Sequence, residues 1–331
     1  MTTGTGVADS GSGRVPRYAS PVDVERFGPY GHGGNQGPSG WCRAAAPFRG
    51  RLTAGAGGFR AEPGRYHLYL SWGCGWAQRI AIARRLLGLE RVLTLSYVDD
   101  RRDARGWAFR ERRGADPVNG FLLLREAYEA TAPGWSGHVS TPVLWDRHRR
   151  TIVSNDPSDL LVDLDHAFRR WSDPAVVLYP ADLADELSAM DSYLYENVND
   201  GVYRADGAVT QSDYDTWSGK VVGAFELLDG RLSRSRFLFG SSVTGSDIRL
   251  WTTLARFDLA YNPACGISER GLADFPNLWD YARDLYGHPA FRETTDFDTF
   301  RFPPPGPRDD GIVRRRVDPR EEDWEKPVDR H

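Results

Sequence analysis

Lysine is almost absent from this chain: of 42 basic residues only Lys220 and Lys326 are lysines, and the rest are arginine. With abundant Ala, Gly and Asp, that is the composition GC-rich coding produces, and it carries no functional meaning of its own. Cysteine is scarce too. Cys42, Cys74 and Cys265 are an odd set without a C-x-x-C pair, which argues against a disulfide framework and a zinc site and leaves room for one working thiol. No stretch approaches the roughly 20 apolar residues of a spanning helix, and residues 1–20 lack a charged-then-apolar leader pattern. The expectation is a cytoplasmic protein without a membrane partner. There is no excess of positive charge either: a net −4 at pH 7 and a pI ≈ 6.0 argue against a broadly basic surface and a nucleic-acid partner.

What is present suffices for two average domains: 331 residues, 40% hydrophobic and 12% aromatic, enough to bury a substantial core. Residues 1–63 are rich in Gly, Pro and Arg without sustained periodicity and read as an extension. Trp41, Phe48 and Phe59 could pin that extension over a site. From Arg65 the texture changes. Tyr66 to Leu70 suits a buried strand, Cys74 to Glu90 carries helical spacing that Gly88 stops, and Val92 to Val98 is a second strand. A polar loop over 99–118 leads to a helix over 121–130. Two short strands, Pro142 to Asp146 and Thr151 to Ser154, then form a hairpin. Asn155 or Asp156 caps the next helix, with Pro157 at its first position. The order β-α-β-α-β-β-α predicts an α/β thioredoxin-like domain over 64–172. Strands then cease, and helical patterns over 180–198, 212–230, 246–260 and 276–287 predict an all-α helical-bundle domain over 178–300. Residues 301–331 form a Pro- and charge-rich tail.

Cys74 falls between a strand end and the first turn of a helix, where unpaired amides and the positive end of the helix dipole favour an anion. A thiolate is such an anion and is the form that attacks sulfur. A buried cysteine serving as a small hydrophobe fits the same position equally well. Thr141-Pro142 opens the third strand, and a cis bond there would present backbone groups to a peptide-like ligand, though trans is the common state. At Asn155-Asp156 a helix N-terminus could hold a ligand carboxylate while Asp156 pairs with an ammonium; simple capping is the commoner job. Trp107, Tyr195, Tyr203, Trp251, Tyr261 and Tyr286 are candidates for an aromatic pocket, since phenol hydroxyls can protonate a leaving phenolate. His67 and His138 have no ligand-spaced partner, so no metal is expected.

Several segments together resemble one family. Arg65 to Ser71 leading into Cys74-Gly75-Trp76-Ala77-Gln78-Arg79, then Thr141 to Asp146 and Thr151 to Asn155, are similar to the Xi-class glutathione transferases, the glutathionyl-hydroquinone reductases. Asn197 to Tyr203 and Asp247 to Asp258 look like that family's second-domain motifs, and the likeness runs from about residue 26 to 300. The resemblance implies the glutathione-transferase fold and a mechanism. In it a cysteine thiolate attacks the sulfur of a glutathionyl-hydroquinone, the hydroquinone leaves, and a second thiol resolves the mixed disulfide. By position it assigns Cys74 as nucleophile, Trp107, the backbone at Val143, and Asp156 to the thiol, and Tyr195 and Tyr286 to the aromatic. It also implies glutathione or another low-molecular-weight thiol as co-substrate, a small aromatic thioether as substrate, and a homodimer.

Gly75 and Gln78 stand where the family usually has Pro and His, and Asp156-Pro157 where it has Glu-Ser. Pro157 lacks both a hydroxyl and an amide donor. These departures leave three readings: a reductase removing glutathione or a related thiol from an aromatic conjugate; a transferase forming or exchanging a C–S bond on a natural-product intermediate, with mycothiol as a candidate thiol; and a non-catalytic binding protein on the same fold.

Overall fold

Tyr66–Leu70 (β1) is buried along its whole length, as a strand covered on both faces is. A computed structural model describes residues 15–31, 36–37, 40–55, 57–301 and 310–330. In it β1 pairs in parallel with Thr94–Tyr97 (β2) and antiparallel with Val143–Asp146 (β3), which pairs antiparallel with Thr151–Ser154 (β4). The sheet order is therefore β2-β1-β3-β4. Leu68 sits opposite Leu95 on one side and Leu144 on the other. A parallel pair needs a crossover, which Gly75–Leu86 (α1) provides, and Gly88 at φ +67° turns the chain away beyond it.

The next helix, Arg125–Thr131 (α2), begins later than the sequence periodicity suggests. The Glu126 carboxylate accepts the Leu122 and Leu123 amides at 2.8 and 2.9 Å, and the Leu124 amide donates to the Trp107 carbonyl. Those bonds hold residues 121–124 against the preceding loop instead of in a helix. Pro157–Ala167 (α3) follows β4, with Asp156 as its N-cap.

The second half is helical: Ala184–Leu194 (α4), Gly201–Asp206 (α5), Gln211–Leu232 (α6), Gly245–Arg256 (α7) and Pro276–Gly287 (α8). Every residue of α7 is buried, which makes it the central helix. It opens with a capping box between Thr244 and Asp247. Ile248, Leu250, Trp251 and Leu254 join the main core, each worth about 1.5–3 kcal/mol on burial. Where the sequence predicts unbroken helices over 180–198 and 246–260, each instead runs into one π turn, Tyr195–Asn199 after α4 and Phe257–Tyr261 after α7. No helix among the described residues is long and apolar enough to cross a membrane.

Both ends of the chain pack onto this frame. Phe48 lies against Tyr128 and Trp135 at 5.6 and 5.4 Å, while the Gly50 amide donates to the Val153 carbonyl. Arg49 and Arg51 pair with Asp159 and Asp163 of α3. Trp41 reaches the helical half and stacks on Tyr203 at 5.2 Å. Residues 41–51 thus strap the two halves together. At the other end Trp324 enters an aromatic cluster with Trp279 and Phe297, at 4.8 and 5.1 Å. The expectations for residues 1–14 and 302–309 lie outside the described residues.

Candidate active site

Cys74 is the N-cap residue of α1, with extended φ and ψ of −85° and 111°, and its side chain makes no cap bond. The first-turn amides are therefore left for another acceptor, and the dipole points its positive end at the sulfur. Sγ lies 3.6 Å from the Thr141 carbonyl, and the Thr141-Pro142 bond is cis.

The loop before the helix is held from two sides. Asp100 accepts from the Ser71 hydroxyl at 2.6 Å and from the Gly73 amide at 2.8 Å, and is itself paired with Arg113 at 3.1 Å. From α7, the buried Arg256 donates to the Gly73, Trp72 and Thr252 carbonyls at 3.3, 3.1 and 2.9 Å, and to the Gln78 amide oxygen. Burial pulls this guanidinium below its ordinary pKa, and the nearby Tyr261 and Cys74 oppose that shift. A Cβ at Gly75 would meet the Tyr261 hydroxyl at 3.5 Å and the Arg256 guanidinium carbon at 3.7 Å, which are ordinary contacts.

Cys74 opens into a cavity of ≈ 370 Å³ between the two halves. The thioredoxin-like side gives it Trp76, Asp100, Arg102, Trp107 and Thr141; the helical side gives Tyr203, Arg256 and Tyr261; the extension gives Tyr30, Trp41 and Arg43. The Tyr203 and Tyr261 hydroxyls are 3.0 Å apart. Burial holds the Tyr261 phenol well above its ordinary pKa, so it keeps its proton. The π turn that ends at Tyr261 rotates this residue off the phase of α7, a device frequent at functional sites. Arg43 pairs with Asp200 at 2.9 Å and lies 4.3 Å from the Trp76 ring centre.

A second cleft, ≈ 480 Å³, shares Arg43, Trp76, His138, Ser140 and Thr141 with the first and ends at Asn155 to Ser158. Its far end is the start of α3, where Asp156 Oδ1 accepts the Ser158 and Asp159 amides at 2.8 and 3.0 Å. Asp156 Oδ2 is 3.4 Å from Arg49. Arg249 of α7 donates to the Ser158 hydroxyl at 3.0 Å while pairing with Asp191 at 2.8 Å.

The residues singled out from sequence therefore divide. Cys74 and Trp107 line the first cavity; Asp156 and Tyr195 line the second, where Tyr195 meets Trp76 edge-on at 5.9 Å. Val143 lines neither: it is fully buried in β3 opposite Tyr69, and Thr141 occupies the cavity wall. Tyr286 stands on α8 against Phe297 and Trp324, each at 5.6 Å, away from both. Trp251 is core, its indole donating to the Ala282 carbonyl. His67 is bracketed by the Thr94 and Ser96 hydroxyls at 2.7 and 2.8 Å, and burial lowers its pKa to about 3. No group of three potential metal ligands occurs among the described residues. Sequence reasoning passed over Tyr30, Arg43, Arg102 and Arg256. None of the four stood out locally: even Arg256 closes a helix that also carries Asp247, Arg249, Thr252 and Thr253.

Comparison with known proteins fits this geometry. Residues 208–284 match the family model described as Glutathione S-transferase, C-terminal domain. The chain is 38% identical over 269 residues to Glutathionyl-hydroquinone reductase YqjG of Escherichia coli, covering 78% of this chain and 82% of that protein. The glutathione-bound structure of YqjG superposes with a TM-score of 0.74 over 77% of this chain and 86% of its own, at 37% identity. The glutathione-S-transferase Xi of Phanerochaete chrysosporium gives 0.76 over 83% of this chain and 100% of its own, at 32% identity. At this identity and coverage, the chain belongs to the Xi-class glutathione transferases, the family of the glutathionyl-hydroquinone reductases.

Proposed function

We propose that this protein removes glutathione from a glutathionyl-hydroquinone through a mixed disulfide on Cys74. The observation that carries the reading is one cavity holding both a cysteine sulfur at an uncapped helix N-terminus and a pair of tyrosine hydroxyls. The Cys74 thiolate attacks the glutathione sulfur and the aryl carbon–sulfur bond breaks. The departing carbon takes a proton, and the hydroquinone leaves with that C–H bond. A second glutathione, losing its proton, attacks the mixed disulfide and releases glutathione disulfide and the Cys74 thiolate. Tyr203 and the protonated Tyr261 are placed to hydrogen-bond the hydroquinone oxygens and relay the proton. Trp107 and the Thr141 backbone line the thiol's path, and Asp156 Oδ2 is the acceptor for its ammonium. All these groups stand on one chain, so the chemistry asks nothing of the partner in the homodimer that the resemblance implies.

The start of α3 favours a second reading of the thiol. Asp156 already takes the Ser158 and Asp159 amides, and Pro157 has none to offer, so a glutamyl carboxylate finds no free backbone amide there and is left with the Ser158 hydroxyl, which accepts from Arg249. A thiol without that carboxylate, such as mycothiol, loses nothing by it.

Turnover of a glutathionyl-hydroquinone with glutathione, followed by product analysis, tests the proposal. Hydroquinone and glutathione disulfide are expected in equal amounts, with Cys74→Ser reducing turnover by about 1,000-fold or more. Sulfur retained on the ring would make the protein a C–S transferase. No turnover by the wild type would leave a binding protein.

A further inference from the structure

The Cys74 cavity carries more positive charge than its own carboxylates answer. Arg43 is matched in charge by Asp200 at 2.9 Å, while its Nη2 is buried without a hydrogen-bond partner. Asp100, the one carboxylate on the wall among the described residues, is taken by Ser71, Gly73, Arg112 and Arg113. Arg256 spends its N–H groups on carbonyls and the Gln78 side chain. His138 is held neutral by burial and by the neighbouring Arg102 and Arg43. Arg102, which is half-buried, is the one cation on this wall without a hydrogen bond or an ion pair among the described residues. Its guanidinium carbon lies 3.9 Å from the ring centre of Tyr30 and 4.1 Å from that of Trp107. A guanidinium over a ring uses its face, which leaves its in-plane N–H fork for a ligand. Beside it the Trp107 indole N–H and the Thr141 hydroxyl are buried without partners. A wall with a free cation and further unanswered polar groups calls for an acceptor that arrives with the ligand.

We propose that Arg102, clamped by Tyr30 and Trp107, recognises a ligand carboxylate in the Cys74 cavity, so that the protein selects conjugates bearing one. The proposal rests on the reading of this cavity as the conjugate site. One free guanidinium in ≈ 370 Å³ matches a planar monoanion. That carboxylate is either the thiol's own or a substituent on the aromatic ring.

Calorimetric titrations of wild type and Arg102→Gln separate the sources. Four probes are used: glutathione, its glycyl ethyl ester, 2,5-dihydroxybenzoate and its methyl ester. One acid is expected to bind the wild type about tenfold or more tightly than its ester. Arg102→Gln brings that acid to the level of the ester and leaves the ester unchanged, and the pair affected identifies the source. Arg102→Lys, which keeps the charge without the planar fork, retains part of the preference. Equal losses for acid and ester would show that Arg102 only packs the wall, and a wild type indifferent to both pairs overturns the proposal as well. Binding needs no turnover, so failure here is separable from failure of the Cys74 chemistry, which hydroquinone release reports.

Discussion

Two helix N-termini face the joined clefts, and they are finished in opposite ways. At the start of α1 the cap position holds Cys74, whose side chain makes no bond to the first turn. At the start of α3 it holds Asp156, whose carboxylate takes two amides, with Pro157 removing a third. Both come from the same local design, a strand running into a helix, and both carry the same dipole. The difference lies in who occupies the amides. An unfilled N-terminus is a place for an anion that comes and goes, here a sulfur; a filled one is a stable joint. One architecture therefore yields a reactive end and a structural end, decided by the side chain at the cap.

Short of removing Cys74 itself, the largest effect should come from disturbing what holds the open end. Arg256 ties the Trp72 and Gly73 carbonyls to α7 and so fixes where Cys74 sits. Arg256→Met removes those donors while keeping the apolar stem. Turnover is expected to fall about 100-fold, as an error of an ångström in a reacting group does, with little change in the KM for the aromatic. Arg256→Lys should recover part of the loss. Alkylation of Cys74 by iodoacetamide, followed beside turnover, checks the assignment: unchanged rates of both would show that the loop holds its place without α7.

A smaller effect is expected at the closed end. Asp156→Asn keeps the capping ability, since Asn and Asp cap about equally well, but removes the charge. The unfolding free energy should stay within about 0.5 kcal/mol of wild type, and the KM for glutathione should rise about tenfold if Oδ2 meets its ammonium. Urea titration and steady-state kinetics together read this. A KM that does not move would confine Asp156 to capping.

Much of this was legible in the order of the residues. The β-α-β-α-β-β-α succession, the capping box at Thr244 and Asp247, and Pro157 opening a helix are local signals, and all are present in that order, with only the second helix starting late, at Arg125. The placement of the aromatics was not legible. Helical periodicity assumes a constant turn of 100° per residue, and the π turns at Tyr195–Asn199 and Phe257–Tyr261 break that phase where the tyrosines are aimed. Tyr261 thus comes into the Cys74 cavity. Tyr286 is held away by Phe297 and by Trp324, which arrives from a tail 38 residues further along the chain. The contribution of Trp41 and Arg43 is long-range as well, since Asp200 and Tyr203 complete it. No window of neighbouring residues contains such pairings.

The smallest expected effect is the one that tests the comparison most directly. Pro157→Ser returns an amide N–H and a hydroxyl to the start of α3 without touching Asp156. The cost is the loss of a residue whose fixed φ suits a first helical position, about 0.4–1 kcal/mol of stability. If α3 is closed to ligands because its amides are spent, a new donor should lower the KM for glutathione about three- to tenfold, the worth of one hydrogen bond to a charged group after desolvation. Turnover at saturation should hold, because nothing near Cys74 changes. A thiol lacking the glutamyl carboxylate should gain nothing, so parallel kinetics with mycothiol control for a general loosening of the cleft. An unchanged glutathione KM would mean that the thiol's carboxylate is held elsewhere in the clefts. The contrast between the two N-termini would then concern helix stability and not recognition.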